Sequence, residues 1–161
     1  MKKWLFISLF VVAVIFISAS VFAYQTVRSP LLNGFEQAEQ FVRDQTLLAT
    51  ISDIDYYHGT TAYYVLQGEN QAGEETIVWI RDDFDSYHIE LSSDGISEDE
   101  ALAIWQNEVN DISRLKSIRL GIERGIPIYE VVYTTVQNSK GYYYIRFEDG
   151  EFVKRYQLRA N

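Results

Sequence analysis

No cysteine occurs among the 161 residues, which excludes a disulfide scaffold, thiolate zinc or iron–sulfur sites and a cysteine nucleophile. No Gly-x-Ser-x-Gly string marks a nucleophile elbow, and no His-Glu-x-x-His string marks a zinc-binding helix. Only two histidines are present; His58 falls in an expected turn and His88 in an expected strand, and both read as ordinary residues of those elements. Positive charge is also scarce, with 14 Lys+Arg against 23 Asp+Glu. The chain is nevertheless 47% hydrophobic and 23% charged, which excludes a disordered protein and allows one medium domain or two small ones.

Charge is absent altogether from Trp4 to Tyr24, a 21-residue run interrupted only by Ser8, Ser18 and Ser20. As a helix it would extend about 31 Å at roughly 1.5 Å per residue, enough to span a hydrocarbon core. Lys2 and Lys3 precede it and Arg28 follows close behind, a small charge asymmetry that favours a cytoplasmic N-terminus and an extracytoplasmic remainder, in a single-pass topology. The expected anchor residues are Trp4, Leu5, Phe6, Phe10, Ile15, Phe16, Phe22 and Tyr24, with Trp4 and Tyr24 at the two interfaces where aromatic belts form. A cleaved signal peptide is the alternative, with Val21-Phe22-Ala23 near the cut, but the run is longer than the ~7–15 residues of a signal h-region. No cysteine follows the run, so it is not a lipoprotein signal.

Residues 25–161 carry 12 Lys+Arg against 23 Asp+Glu, a net charge of −11. A domain so acidic repels polyanions as a whole, which argues against nucleic acid or anionic lipid as its partner. Residues 25–32 form a short linker in which Ser29-Pro30 discourages helix. Extended, it would reach only about 26 Å at roughly 3.3 Å per residue, so the domain works close to the membrane.

An internal repeat organises the rest. Asn33 is placed to cap a helix with Glu36 three residues on, and Phe35, Ala38, Phe41 and Leu48 follow at helical spacing. Sixty-four residues later Ser97 and Glu100 repeat the capping pattern, and Leu102, Trp105, Val109 and Ile112 correspond to Ala38, Phe41, Gln45 and Leu48. Each helix precedes four β-rich segments. The first set is 50–57, 60–67, 76–81 and 87–91; the second is 115–123, 126–136, 142–147 and 152–158. Asp149-Gly150 between the last two is a strong hairpin signal. Ile80-Arg81 matches Ile145-Arg146 at an offset of 65. Hairpins without strand–helix–strand alternation imply an α+β fold of antiparallel sheets with helices on one face. The expected organisation is 1–24 anchor, 25–32 linker, 33–94 first repeat and 95–161 second repeat; at this size the repeats should pack together to bury enough surface.

Carboxylate groups at Asp53 and Asp55, and at Asp82, Asp83 and Asp85, lack the calcium-loop pattern and read as solvated turns. Glu98 and Asp99 belong to a first helical turn, where the macrodipole stabilises negative charge. Alternation puts Tyr142, Tyr144 and Arg146 on one face of a strand and Tyr143, Ile145 and Phe147 on the other. The first three make a candidate partner surface, although tyrosine also suits ordinary sheet packing. Arg114, Lys116, Arg119 and Arg124 form a basic island, suited to an acidic partner surface or wall polymer or else to protecting an edge strand from unwanted pairing.

The anchor with its basic start and the strings GFEQAEQFVRD (34–44), IVWIRDD (77–83), SEDEALAIW (97–105) and YYYIRFEDGEFVKRY (142–156) together resemble the YpmB-like family of Gram-positive bacteria, also called TseB-like cell wall elongation regulators. The resemblance extends over essentially the whole chain and rests on organisation, since none of the strings is catalytic. It implies two tandem PepSY-like units of cystatin-like fold behind a membrane anchor. It further implies a non-enzymatic role without cofactors or metal, in which the protein regulates wall elongation by binding a penicillin-binding transpeptidase. It assigns no functional residues. A PepSY-type inhibitor or chaperone-like domain for an extracellular protease is the alternative expectation.

Overall fold

The computed structural model describes Phe16 and residues 33–159. The chain falls into two compact units, 1–37 and 38–161. In the first, Phe16 is helical and exposed, and 33–37 are helical. The other proposed anchor residues, Trp4, Leu5, Phe6, Phe10, Ile15, Phe22 and Tyr24, lie outside the described residues. Among the described residues, no helix is long and apolar enough to cross a membrane.

Residues 33–44 are helical (α1). Then follow β1 (Thr50–His58), β2 (Ala62–Glu69), β3 (Glu75–Arg81) and β4 (Tyr87–Leu91), a single 3-10 turn (Ser92–Asp94) and α2 (Glu98–Glu108). The chain continues with β5 (Ile112–Glu123), β6 (Ile126–Thr135), β7 (Lys140–Arg146) and β8 (Phe152–Leu158). The strands form two four-stranded antiparallel meanders, β1-β2-β3-β4 and β5-β6-β7-β8. The fold is therefore α+β, with helix followed by four strands occurring twice.

Both helices end for local reasons. Ser97 caps α2 as its sequence implies: Ser97 N–H donates to Glu100 Oε2 at 2.8 Å and Glu100 N–H donates to Ser97 Oγ at 3.3 Å. Asn33, by contrast, is itself helical and so is not the cap of α1. Leu48 and Ile112, expected to continue the helical spacing, lie beyond the helices; Leu48 is a buried residue between α1 and β1, and Ile112 opens β5. The C-terminus of α1 closes in a Schellman motif: Leu47 N–H donates to the Val42 carbonyl and Thr46 N–H to the Arg43 carbonyl, both at 3.0 Å, with Thr46 at φ 56°. Glycine usually holds that left-handed position, and its absence hid the stop.

Period-two alternation gives the first sheet two apolar faces. Tyr64, Leu66, Val78 and Ile80 share one face by register. There α1 lays Phe41 against Tyr87 (5.8 Å between ring centroids) and Phe84 (6.1 Å). Tyr57, Val65, Ile77 and Trp79 point the other way and join one buried cluster with Ala101 and Trp105 of α2 and with the second sheet. Trp79 meets Phe147 edge-on at 5.8 Å, and the Tyr57 ring lies against Gly121, where an added Cβ would come within 2.5 Å of it. In the second sheet Tyr129, Val131 and Tyr133 belong to that cluster, and Trp105 packs on Tyr133 at 5.4 Å. Glu130, Val132 and Thr134 therefore face away from α2. The tight hairpin between β5 and β6 turns on Arg124 (φ 54°) and Gly125 (φ 81°), the paired positive φ angles of a type I′ turn. Asp149-Gly150 instead sits in a longer connection, because Asp149 Oδ1 accepts the Glu151 N–H and Arg146 Nε while Gly150 takes φ 77°.

Three changes test this packing. Tyr133 is fully buried and its hydroxyl has no hydrogen-bond partner among the described residues, so Tyr133→Phe should leave stability unchanged or raise it, as measured by urea unfolding. Trp105→Ala, which empties the space beside that ring, should cost about 3–5 kcal/mol. Thr46→Gly should raise stability by about 1 kcal/mol by removing left-handed strain; a loss in the same assay would contradict the termination described for α1.

Candidate functional site

The face of the second sheet turned away from α2 is the floor of a cleft of about 930 Å³. Side chains of β5, β6, β7 and β8 line it, and the β1–β2 hairpin at His58, Gly59 and Thr60 closes one side. Two bulges aim its cations. In β5, Leu115 pairs with Tyr133 and Ser117 with Val132, so Lys116 is an extra residue; both Lys116 and Ser117 consequently reach the cleft, along with Arg119. In β8 the register shifts opposite Tyr144 and Ile145, leaving Val153 unpaired and setting Lys154 beside Tyr144.

Two carboxylates occupy the interior. Glu123 is 2% exposed; its Oε1 accepts Thr60 Oγ1 at 2.7 Å and lies 2.8 Å from Lys154 Nζ, and Tyr57 OH donates to its Oε2 at 3.4 Å. Desolvation by itself would raise the Glu123 carboxyl, but Lys154 and Thr60 outweigh it and hold the group below the usual glutamate value. Glu130 accepts the Tyr144 hydroxyl at 2.6 Å. Because Tyr144 donates there, the 3.1 Å contact between Tyr144 and Tyr156 has Tyr156 as donor. Burial first, and then the hydrogen bond to Glu130, drive the Tyr144 hydroxyl far above an ordinary phenol. Burial, followed by the charges of Glu130 and Glu123, does the same to Tyr57. Both remain neutral donors in physiological conditions.

Aromatic rings and ammonium groups cover the β7–β8 side. Tyr142 stacks on Tyr156 with centroids 4.6 Å apart. Lys140 Nζ lies 4.8 Å from the Tyr142 centroid, and Lys154 Nζ 4.3 Å from that of Tyr144. Of the three residues singled out from sequence as a partner surface, Tyr142 and Tyr144 meet in this cleft, but Tyr144 is only 2% exposed and supports the site from below. Arg146 is engaged elsewhere, paired with Asp149 at 2.7 Å and with Glu151. Its repeat counterpart Arg81 likewise pairs with Asp83 and, at 3.7 Å, with Asp85. The repeated Ile-Arg step thus fastens an acidic turn in each half. Lys116 and Arg119 of the basic island line the cleft, whereas Arg124 is in the β5–β6 turn. Asp55 pairs with Arg119 at 3.6 Å, and His88 Nε2 contacts Glu90 Oε1 at 2.6 Å.

Glu123, Lys140 and Lys154 carried no signal in the sequence as site residues. The one available hint was Glu130 inside the otherwise apolar alternation of 126–136, a polar side chain where one sheet face must differ from the other.

A group whose folded pKa is depressed contributes stability above its unfolded pKa and loses it as pH falls through the folded value. Glu123 should therefore stabilise the fold fully above the ordinary glutamate value of 4.5 and lose that contribution as pH falls below it. Glu123→Gln should be less stable than wild type at neutral pH, with the gap narrowing on acidification from pH 4.5 downward; a gap independent of pH would refute the Lys154 pairing.

Residues 37–81 match the family model described as the cell wall elongation regulator TseB-like domain. The chain is 28% identical over 143 residues to the protein named probable cell wall elongation regulator TseB of Bacillus subtilis (strain 168), covering 88% of this chain and 87% of that one. The solved structure described as YpmB protein from Bacillus subtilis superposes with a TM-score of 0.68 at 27% identity, covering 74% of this chain and 94% of that one. Family model, curated relative and solved fold agree in likening this chain to TseB/YpmB-like proteins.

Proposed function

We propose that the chain is a membrane-anchored, extracytoplasmic and non-catalytic regulator of cell wall elongation, acting by binding a penicillin-binding protein of the elongation machinery. The likeness to the Bacillus subtilis protein named probable cell wall elongation regulator TseB, which runs along 87% of that protein, carries this reading. It supports a role in wall elongation; the anchor rests on the charge-free run from Trp4 to Tyr24. In this reading 33–94 and 95–161 are PepSY-like units of cystatin-like type, and the N-terminus is cytoplasmic.

The mechanism is confinement. An anchor and a short linker keep the domain on the same membrane as its target, so that a weak contact acts at high effective concentration. The contact surface is the β7–β8 side of the cleft, where Tyr142 is accessible over the buried Tyr144 and next to the exposed Tyr156.

Replacing Tyr142 with a photoreactive phenylalanine analogue in the full chain, in living cells, should give on irradiation an adduct that fluorescent penicillin also labels. Adducts that never carry the penicillin label would overturn the partner. Recovery of the protein from the medium without residues 1–24 would overturn the anchor.

A further inference from the structure

The geometry points to the cleft as a dock for a short acidic segment of a partner polypeptide, held by Lys116, Arg119 and Lys140 at the rim and by Glu130 at the floor. This rests on the reading of the chain as a protein-binding regulator, and adds the chemistry that the partner presents.

The charges of the cleft run against those of the molecule. The chain carries a net −9, yet four cations line this cavity against two carboxylates. Glu123 and Lys154 neutralise each other at 2.8 Å. Among the described residues no ion pair engages Lys116 or Lys140, and Arg119 has only a long, exposed pair with Asp55 at 3.6 Å. Three cations are therefore presented to solvent around one concavity, two of them on β5 and one at the start of β7. The bulge at Lys116 matters here, since regular alternation would give that ammonium to the face of Ile118.

The floor distinguishes between anionic ligands. Glu130 is nine-tenths buried and receives a single described donor, Tyr144, on Oε2. A carboxylate only accepts hydrogen bonds, and lysine and arginine only donate them. The complementary ligand offers donors at its centre and negative charge at its flanks. An acidic peptide does both, with backbone N–H groups for Glu130 and side-chain carboxylates for the rim. An inorganic polyphosphate chain supplies acceptors alone and would meet Glu130 with repulsion. The cavity volume of about 930 Å³ lies at the upper end of the roughly 300–1,000 Å³ typical of ligand pockets, which suits a short segment rather than a folded surface.

The test uses the full chain in detergent micelles and a fluorescein-labelled peptide of alternating Asp and Ser, followed by anisotropy. Saturable binding that weakens with added salt is expected, with none for the corresponding Asn/Ser peptide. Lys116→Glu combined with Lys140→Glu should weaken binding at least about tenfold. Arg124→Glu, the same charge reversal outside the cleft, should leave it unchanged. All these positions are exposed, and unchanged thermal unfolding confirms that the variants fold. Absence of saturable binding, equal weakening by Arg124→Glu, or tighter binding of inorganic polyphosphate than of the peptide would each overturn the dock. The Tyr142 photoadduct provides the separate readout: a penicillin-labelled adduct undiminished in the Lys116/Lys140 variant keeps the partner and rejects the acidic segment, whereas peptide binding without any labelled adduct keeps the cleft chemistry and rejects that partner.

Discussion

A carboxylate enclosed between two sheets sets the terms for this fold. Glu123 sits near the end of β5, where Thr60 and Tyr57 from the first sheet and Lys154 from the far strand of the second all converge on it. A charge so deeply desolvated is tolerated only when its lone pairs are occupied, and removing one partner leaves the rest uncompensated. The β1–β2 hairpin must consequently stay against β5. Gly121 is what lets it do so, since its missing side chain is the space into which the Tyr57 ring packs. The cleft wall at Thr60 follows from the same contact.

Around this joint the two helices have different duties. α1 covers the outer face of the first sheet through Phe41 and its aromatic neighbours, leaving the opposite face free to share a core with the second half. α2 covers one face of the second sheet and leaves the other as a polar, tyrosine-rich concavity. Phe84, at φ 61° in the β3–β4 turn, holds an unfavourable backbone conformation for an aromatic residue; stacking on Tyr64 at 5.4 Å is the compensating contact.

Local signals in the sequence were sufficient for most of the architecture. The Ser97/Glu100 capping box, the spacing of Trp105 and the eight β-rich segments between turn residues correspond to observed elements, with β4 and β8 beginning and ending where the residues indicate. What remained hidden depends on contacts distant in sequence or on backbone states that residue type does not announce. Thr46 ends α1 in a conformation usually given to glycine. Lys116 changes face because of an unpaired residue, and no periodicity argument can place a bulge without its partner strand. The site itself draws on residues 58–60, 116, 117, 119, 123, 130, 140, 142, 144, 154 and 156, so it exists only after both sheets have met. Tyr144 illustrates the limit: alternation gave its face correctly, while its burial depends on Tyr156 and Glu130.

The shared core joining Trp79, Trp105 and Phe147 also bears on cooperativity. A molecule with two beads would open one half while the other stayed closed, with amide protons of each sheet exchanging at their own rates. Here the apolar faces that the two sheets turn towards each other cannot be wetted without separating both, so the slowest-exchanging amides of β3 and β6 should belong to one foldon and report one free energy. Mutational damage to the first meander would then be felt as lost occupancy of the binding-competent state in the second, far from the altered residue.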